Sequence, residues 1–339
     1  MNAVTLDLKT DRLANYLKQH VPGFQGPLTA SKFAGGQSNP TFLIQAKSGK
    51  YVLRRKPPGT LLKSAHAVDR EYRVMSALAD TWVPVARVYH LCEDEQVIGS
   101  MFYLMEYIDG RVMWDPGLPE LAPSQRAAIY AEMNRVLAAL HSVNIDRVGL
   151  ADYGKPGNYF ERQTGRWTKQ YRASETETIP AMEALMQWLP ANLPEDDGQV
   201  ALVHGDFRLD NMMFHPTEPR VLALVDWELS TLGHPFADLA YQCMQLRMDS
   251  RGVMPGLGGL DRADLGIPSE SAYVREYCAN RGIHSIPNWN FYLAFSFFRF
   301  AAILQGVKRR AIDGNASSER AVQLGALVKP LADMAIELL

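Results

Sequence analysis

Hydrophobic and polar positions along the chain fall into two regimes. Up to about residue 107 the apolar runs are short and bounded by turn formers: Thr29–Ala34, Thr41–Ala46, Tyr51–Arg54, Pro84–Leu91 and Met101–Tyr107 read as five strands. Two helical stripes interrupt them. Thr10 can cap a helix running to about His20, with Leu13, Tyr16 and Leu17 on one face; Ala65–Ala79 carries Val68, Tyr72, Met75 and Leu78 on another. Beyond residue 107 the helical period takes over. Pro123–Ser142 turns Ile129, Met133, Val136, Leu137 and Leu140 inward, and Asn158–Ala173, Thr178–Leu189, Glu270–Asn280, Asn288–Ile312 and Glu319–Leu338 follow as helices. Phe291, Phe295, Phe298 and Ile303 read as core. The expected fold class is α+β: a small antiparallel β lobe with one major helix over residues 1–107, and a larger, mainly helical lobe over 108–339.

One stretch breaks the helical regime. Residues 203–240 read VHGDFRLDNMMFHPTEPRVLALVDWELSTLGHPFADLA. Two apolar runs, Met212–Phe214 and Val221–Val225, flank a connector rich in turn formers, which predicts an antiparallel hairpin. Asn211 then stands just before the first strand and Asp226 just after the second, at the same end, with the strands about 4.8 Å apart. A hard cation such as Mg²⁺ could touch both oxygens. Asp206 lies five residues before Asn211. Phosphoryl transfer needs little more: a metal to neutralise phosphate charge and a carboxylate to orient the attacking hydroxyl. Asp206 is the expected base, and Asn211 and Asp226 are the expected metal ligands.

Composition narrows the rest. A net charge of −2 over 339 residues gives no global case for nucleic acid or an anionic membrane as partner. Cys92, Cys243 and Cys278 are widely spaced, neither a disulfide framework nor a metal motif. The N-terminal residues lack an apolar signal core, and Trp289–Leu304 is interrupted by Asn290, Ser296 and Arg299, too short and polar to span a bilayer. The expectation is a cytoplasmic protein. Arg162, Arg166 and Lys169 recur on one face of the 158–173 helix, with Trp167 adjacent and Arg172 nearby. That face is either solvated or a surface recognising an anionic acceptor.

Several strings carry a family resemblance. Asp206-x4-Asn211 followed by Asp226 resembles the kinase catalytic loop and metal-binding Asp, with His-Gly-Asp and Asp-Trp-Glu in place of His-Arg-Asp and Asp-Phe-Gly. Together with Asp238-Leu239-Ala240 they resemble the aminoglycoside phosphotransferase and choline kinase branch of the kinase-like fold. The resemblance implies a bilobed fold, ATP as co-substrate and a small-molecule phosphoacceptor. It gives His204 and Asp238 a supporting role, Asp238 bracing the catalytic loop through its backbone. It makes the turn at Gly35, Gly36, Ser38 and Asn39, which alone reads equally as a plain hairpin, the phosphate-covering loop. It gives Arg54 the phosphate-binding position usually held by Lys, paired with Glu71, although Arg55 and Lys56 are adjacent and strand phase alone selects Arg54. Backbone groups around Glu106 and Tyr107 take the adenine edge. The hairpin string and Tyr51–Gly59 are most similar to the subgroup fused to some acyl-CoA dehydrogenases, which implies an anionic or CoA-linked hydroxy acid as acceptor. The alternatives are an aminoglycoside or other small alcohol or amine, or a nucleotide-binding pseudokinase serving as a partner module.

Overall fold

The computed structural model describes residues 8–33, 39–57, 67–314 and 319–339. In chain order the first elements are α1 (Thr10–His20), β1 (Leu28–Lys32), β2 (Thr41–Ala46), β3 (Gly49–Arg55), α2 (Val68–Leu78), β4 (Val88–Cys92) and β5 (Phe102–Glu106). Then come α3 (Pro123–His141), α4 (Tyr159–Ser174), α5 (Pro180–Ala191), β6 (Ala201–Val203), β7 (Met212–Phe214), β8 (Val221–Leu224) and β9 (Thr231–Gly233). The remainder is helical: α6 (Phe236–Arg247), α7 (Arg262–Leu265), α8 (Glu270–Arg281), α9 (Trp289–Ile312), α10 (Glu319–Gly325) and α11 (Val328–Ile336). The chain divides into two compact units, residues 1–111 with 211–229, and residues 112–210 with 230–339.

In the first unit the five strands form one antiparallel sheet in the order β1-β2-β3-β5-β4. Alternation along β3 sorts its side chains. Tyr51 and Leu53 join a buried cluster with Leu13 and Leu17 of α1, Phe42, Ile44, Phe102 and Leu104. Val52 and Arg54 therefore stand on the opposite face. Helix α2 buries Val74, Met75 and Leu78, and Glu71 with them. The β7–β8 hairpin belongs to this unit. Phe214 and Arg111 exchange backbone hydrogen bonds of 2.8 Å, and Leu224 N–H donates to the Pro84 carbonyl at 2.8 Å.

In the second unit α9 is the central helix, packing against α4, α6, α10 and α11. By length and hydropathy α9 could cross a membrane, but 78% of its most apolar window is buried inside the protein, as a core helix requires. The β6–β9 pair frames the loop that follows Val203.

Four local expectations change. Thr10 is the first helical residue and not the cap; Lys9 holds that position at φ 46° without a side-chain cap. The strand expected from Pro84 forms only over Val88–Cys92, because Pro84 uses its carbonyl to bind the hairpin. Pro190 lies inside the last turn of α5, where its missing N–H deprives only the Met186 carbonyl of a donor, and does not end the helix. Residues 319–338 form two helices with a break at Ala326 and Leu327.

Candidate active site

The first unit gathers a charged cluster around Arg54. Its Nε lies 2.9 Å from Glu71 Oε2, close but bent out of hydrogen-bond line, and its Nη2 donates to Asp226 Oδ1 at 2.9 Å. Glu228 Oε2 is 4.0 Å away. The neighbouring cations point elsewhere: Arg55 donates to Ser100 Oγ at 2.8 Å, and Lys56 lies 3.8 Å from Asp69. Strand phase thus settles which cation meets Glu71. Glu71 is 1% exposed and accepts from Asn39 Nδ2 at 2.8 Å and from the Tyr103 hydroxyl at 3.1 Å. Burial pushes its carboxyl up to about 7 against the opposing pull of Arg54. Burial also works against the Arg54 charge, but Glu71 above all, then Tyr103, Asp226 and Glu228, raise its pKa further.

The hairpin brings Asp226 to this cluster. Val225 N–H donates to the Asn211 carbonyl at 3.0 Å, so Asn211 and Asp226 flank the same end of β7–β8. Asp226 sits at φ 66°, a left-handed conformation uncommon for side-chain-bearing residues, though Asp adopts it more readily than most. Its side chain remains 36% exposed beside Arg54. A carboxylate and an amide oxygen at one hairpin end are the hard donors that Mg²⁺ prefers, so these residues fit that ion. Among the described residues no group of three or more His, Cys, Asp or Glu side chains is placed to hold a metal.

Of the remaining nucleotide-binding expectations, Gly35, Gly36 and Ser38 lie outside the described residues. Asn39 is 1% exposed, with its side-chain amide on Glu71. Glu106 donates its N–H to the Arg87 carbonyl at 2.8 Å, and Lys50 Nζ sits 5.2 Å over the Tyr107 ring.

The second unit builds the Asp206 loop. Gly205, at φ 83°, turns the chain so that two successive N–H groups face one carboxylate. His204 N–H donates to Asp238 Oδ2 at 2.6 Å and Gly205 N–H to Asp238 Oδ1 at 2.9 Å. His141 Nε2 stands 3.3 Å from the same Oδ2, and its Nδ1 is 2.7 Å from the Tyr277 hydroxyl. Burial alone would raise the Asp238 carboxyl; the adjacent His141 and the loop N–H groups outweigh it and hold it below the usual carboxylate range. Burial keeps His141 low, hence neutral. Asp206 itself accepts from the Tyr241 hydroxyl at 2.8 Å. Burial, and then the Asp206 charge, push the Tyr241 phenol far up, so it remains a donor. Arg299, 6% exposed, donates to the Gly205 carbonyl at 2.7 Å and lies over the rings of Tyr241 and Trp167 at 5.2 and 5.7 Å.

Sequence reading passed over Tyr241 and Arg299. Arg299 carried a signal: a lone cation inside NFYLAFSFFRFAAIL must find partners when its helix is buried. Tyr241 carried none beyond its place one turn after Asp238.

The basic face of α4 divides. Arg162 donates to the carbonyls of Lys155 and Pro156, at 2.5 and 3.3 Å, and Arg172 pairs with Glu183 and Glu175. Arg166 and Lys169 stay exposed along an open groove with Lys155 and Asn158. Trp167 turns inward, 7% exposed, with the Arg166 guanidinium 5.4 Å over its ring.

Comparison with known proteins places this geometry. Residues 29–276 match the model of the phosphotransferase enzyme family. The mouse protein acyl-CoA dehydrogenase family member 10 is 52% identical over 333 residues, covering 98% of this chain and 31% of that protein. Human acyl-CoA dehydrogenase family member 11 is 46% identical over 331 residues, 96% of this chain and 42% of the relative. The chain thus spans well under half the length of these curated relatives. A crystal structure of a putative aminoglycoside phosphotransferase from Ralstonia eutropha superposes with a TM-score of 0.91 at 55% identity over 97% of each chain. Aminoglycoside phosphotransferase APH(4)-Ia shares the fold, with a TM-score of 0.63 at 14% identity over 97% of this chain and 98% of the other. The chain shares its kinase-like α+β fold with these solved structures, and it belongs to the phosphotransferase enzyme family.

Proposed function

We propose that the chain transfers the γ-phosphoryl group of ATP to a hydroxyl of a small molecule, with an anionic or CoA-linked hydroxy acid as favoured acceptor. The observation that carries this reading is Asp226. It is held at φ 66° beside Arg54, at the same hairpin end as Asn211. Asn211 and Asp226 are the residues to hold Mg²⁺, which when bound neutralises phosphate charge. Asp206 takes the proton of the acceptor hydroxyl as its oxygen bonds to the γ-phosphorus. The bond from that phosphorus to the β–γ bridging oxygen breaks, and ADP leaves with the electron pair. Tyr241 fixes the Asp206 carboxylate through a hydrogen bond to its Oδ1. The planar guanidinium of Arg54 suits bidentate contact with phosphate oxygens. Asp238 keeps the Asp206 loop in shape.

Two observations favour the acyl acceptor. Two curated relatives, 52% and 46% identical, carry this segment within longer chains whose names call them acyl-CoA dehydrogenase family members, and an acyl-CoA is a thioester. Lys155, Arg166 and Lys169 line a basic groove that would repel a polycation. The name of the Ralstonia relative supports a second reading, aminoglycoside phosphorylation. ADP production with Mg²⁺ should be measured against hydroxyacyl-CoAs, free hydroxy acids, choline-like amines, sugars and aminoglycosides. Turnover highest with a hydroxyacyl-CoA is expected; turnover highest with an aminoglycoside replaces this reading with the second.

A further inference from the structure

A cleft of about 220 Å³ opens in the second unit against Arg208, Leu209 and Asp210 of the Asp206 loop. Its walls are mostly apolar, formed by Met133, Leu246, Met248, Val253 and Met254. Two polar side chains of α6 interrupt them, Gln242 and Gln245. Gln242 is 1% exposed, and its Oε1 accepts from the Tyr273 hydroxyl at 2.8 Å. The Nε2 amides of both glutamines are buried and, among the described residues, have no hydrogen-bond partner. Native proteins rarely leave a buried donor unpaired, and two lining one cleft mark a place for an acceptor atom that the chain does not supply. The charges nearby are largely settled. The Arg208 guanidinium is doubly bonded to Asp210, and Arg320 stands exposed on the lining.

Helix α6 also ties this cleft to the base. Tyr241 and Gln245 are one turn apart and share a face, with Cβ atoms roughly 5–6 Å apart. The Tyr241 hydroxyl is the group that holds Asp206.

We propose that this cleft takes the acyl chain of the phosphoacceptor, and that Gln242 and Gln245 donate to its carbonyl oxygen. The inference rests on the kinase reading above and narrows it. An apolar wall with uncharged amide donors selects a neutral carbonyl, as in a thioester, over a free carboxylate. The volume falls below the ~300–1,000 Å³ of pockets for drug-sized ligands, which fits a short chain and not a multi-ring polycation.

A matched pair of probes isolates the carbonyl: pentanoyl-pantetheine thioester and the pentyl-pantetheine thioether, which lacks only that oxygen. Without ATP no transfer can occur, so calorimetric titration of the full chain reads binding alone. The thioester should bind wild type at least tenfold tighter than the thioether, a difference of 1.4 kcal/mol. Gln245→Leu should weaken the preference, with Gln242 left as the remaining donor, without lowering the melting temperature, because it removes an unpaired buried donor. Equal binding of both probes to wild type, no binding of either, or a preference undiminished in Gln245→Leu would overturn the assignment. So would a clear fall in melting temperature in that variant, which would make Gln245 a structural residue. Transfer assays separate the two readings. Phosphorylation of a hydroxyacyl thioester without any thioester preference removes the cleft assignment and keeps the kinase. A thioester preference with no acceptor phosphorylated keeps the cleft and removes the kinase.

Discussion

Replacing Asp238 by Asn tests whether the Asp206 loop is held as the geometry requires. The carboxylate is 1% exposed and receives His204 N–H at 2.6 Å and Gly205 N–H at 2.9 Å, with His141 Nε2 at 3.3 Å. An Asn in the same rotamer offers one carbonyl oxygen and one NH₂. Whichever way the amide turns, one loop N–H faces another donor. A buried donor left without an acceptor costs about 1–3 kcal/mol. The bond that survives changes from charge-assisted to neutral, a further loss of about 1 kcal/mol. The sum is about 2–4 kcal/mol. At roughly 2–4 °C per kcal/mol for a large domain, the melting temperature should fall by about 4–16 °C. Differential scanning calorimetry of Asp238→Asn beside wild type reads this directly, and phosphoryl transfer should fall with it as the loop loses its shape. A variant melting within about 1 °C of wild type would refute the claim that this carboxylate organises the loop.

Tyr241→Phe removes a charge-assisted bond of 2.8 Å from Asp206. At about 1.5–3 kcal/mol it should lower kcat at least tenfold with the KM for ATP unchanged, and an unchanged kcat takes Tyr241 out of the mechanism. Arg54→Met leaves Glu71 buried without its cation, so urea denaturation should show a loss of about 3–5 kcal/mol, recovered in part by Arg54→Met with Glu71→Gln. A loss below 1 kcal/mol contradicts the ion-pair cluster. Burial lowers the pKa values of His90, His141 and His234, so below their unfolded value of about 6.5 the unfolded chain binds more protons and stability falls on acidification. Glu71 runs the other way. With a folded value of about 7 above an unfolded value near 4.3, its contribution is present at low pH and lost as pH rises through 7. Urea midpoints should therefore drop between pH 7.5 and 5.5, and drop more steeply in Glu71→Gln; a midpoint that rises on acidification, or an identical slope in the variant, contradicts this.

The sequence exposed what is local. Period and turn chemistry located most strands and helices, because each buries a face readable within its own residues; the three-residue strands β6 and β9 and the one-turn helix α7 are too short to show a period. The β7–β8 hairpin was legible for the same reason, because turn formers fix it; the pairing of Arg54 with Glu71 came from the family resemblance, with strand phase selecting Arg54 over its neighbours. Long-range partners were not legible. Nothing in residues 211–229 announces that they pack with residues 1–111, or that Asp226 reaches Arg54 across 172 positions of chain. Nor does Asn39 announce that its amide serves Glu71. Trp167 looked like part of a basic face, yet its area makes burial the stronger demand, and the exposed Arg166 and the buried Arg299 both lie over its ring. Tyr241 and Gln245 were hidden in a helix whose apolar character reads as core, where a polar atom is visible only once its partner, or the lack of one, is seen.

The central claim is that Asp206 serves as base in phosphoryl transfer to a hydroxyl. The most direct test is a single-turnover experiment with γ-³²P-ATP, Mg²⁺ and a hydroxyacyl-CoA, comparing wild type with Asp206→Asn at matched nucleotide occupancy. Labelled phosphate should appear on the acceptor in wild type and slow by a hundredfold or more in the variant, a loss of at least about 2.7 kcal/mol of transition-state stabilisation. Transfer at an undiminished rate by Asp206→Asn would contradict the account.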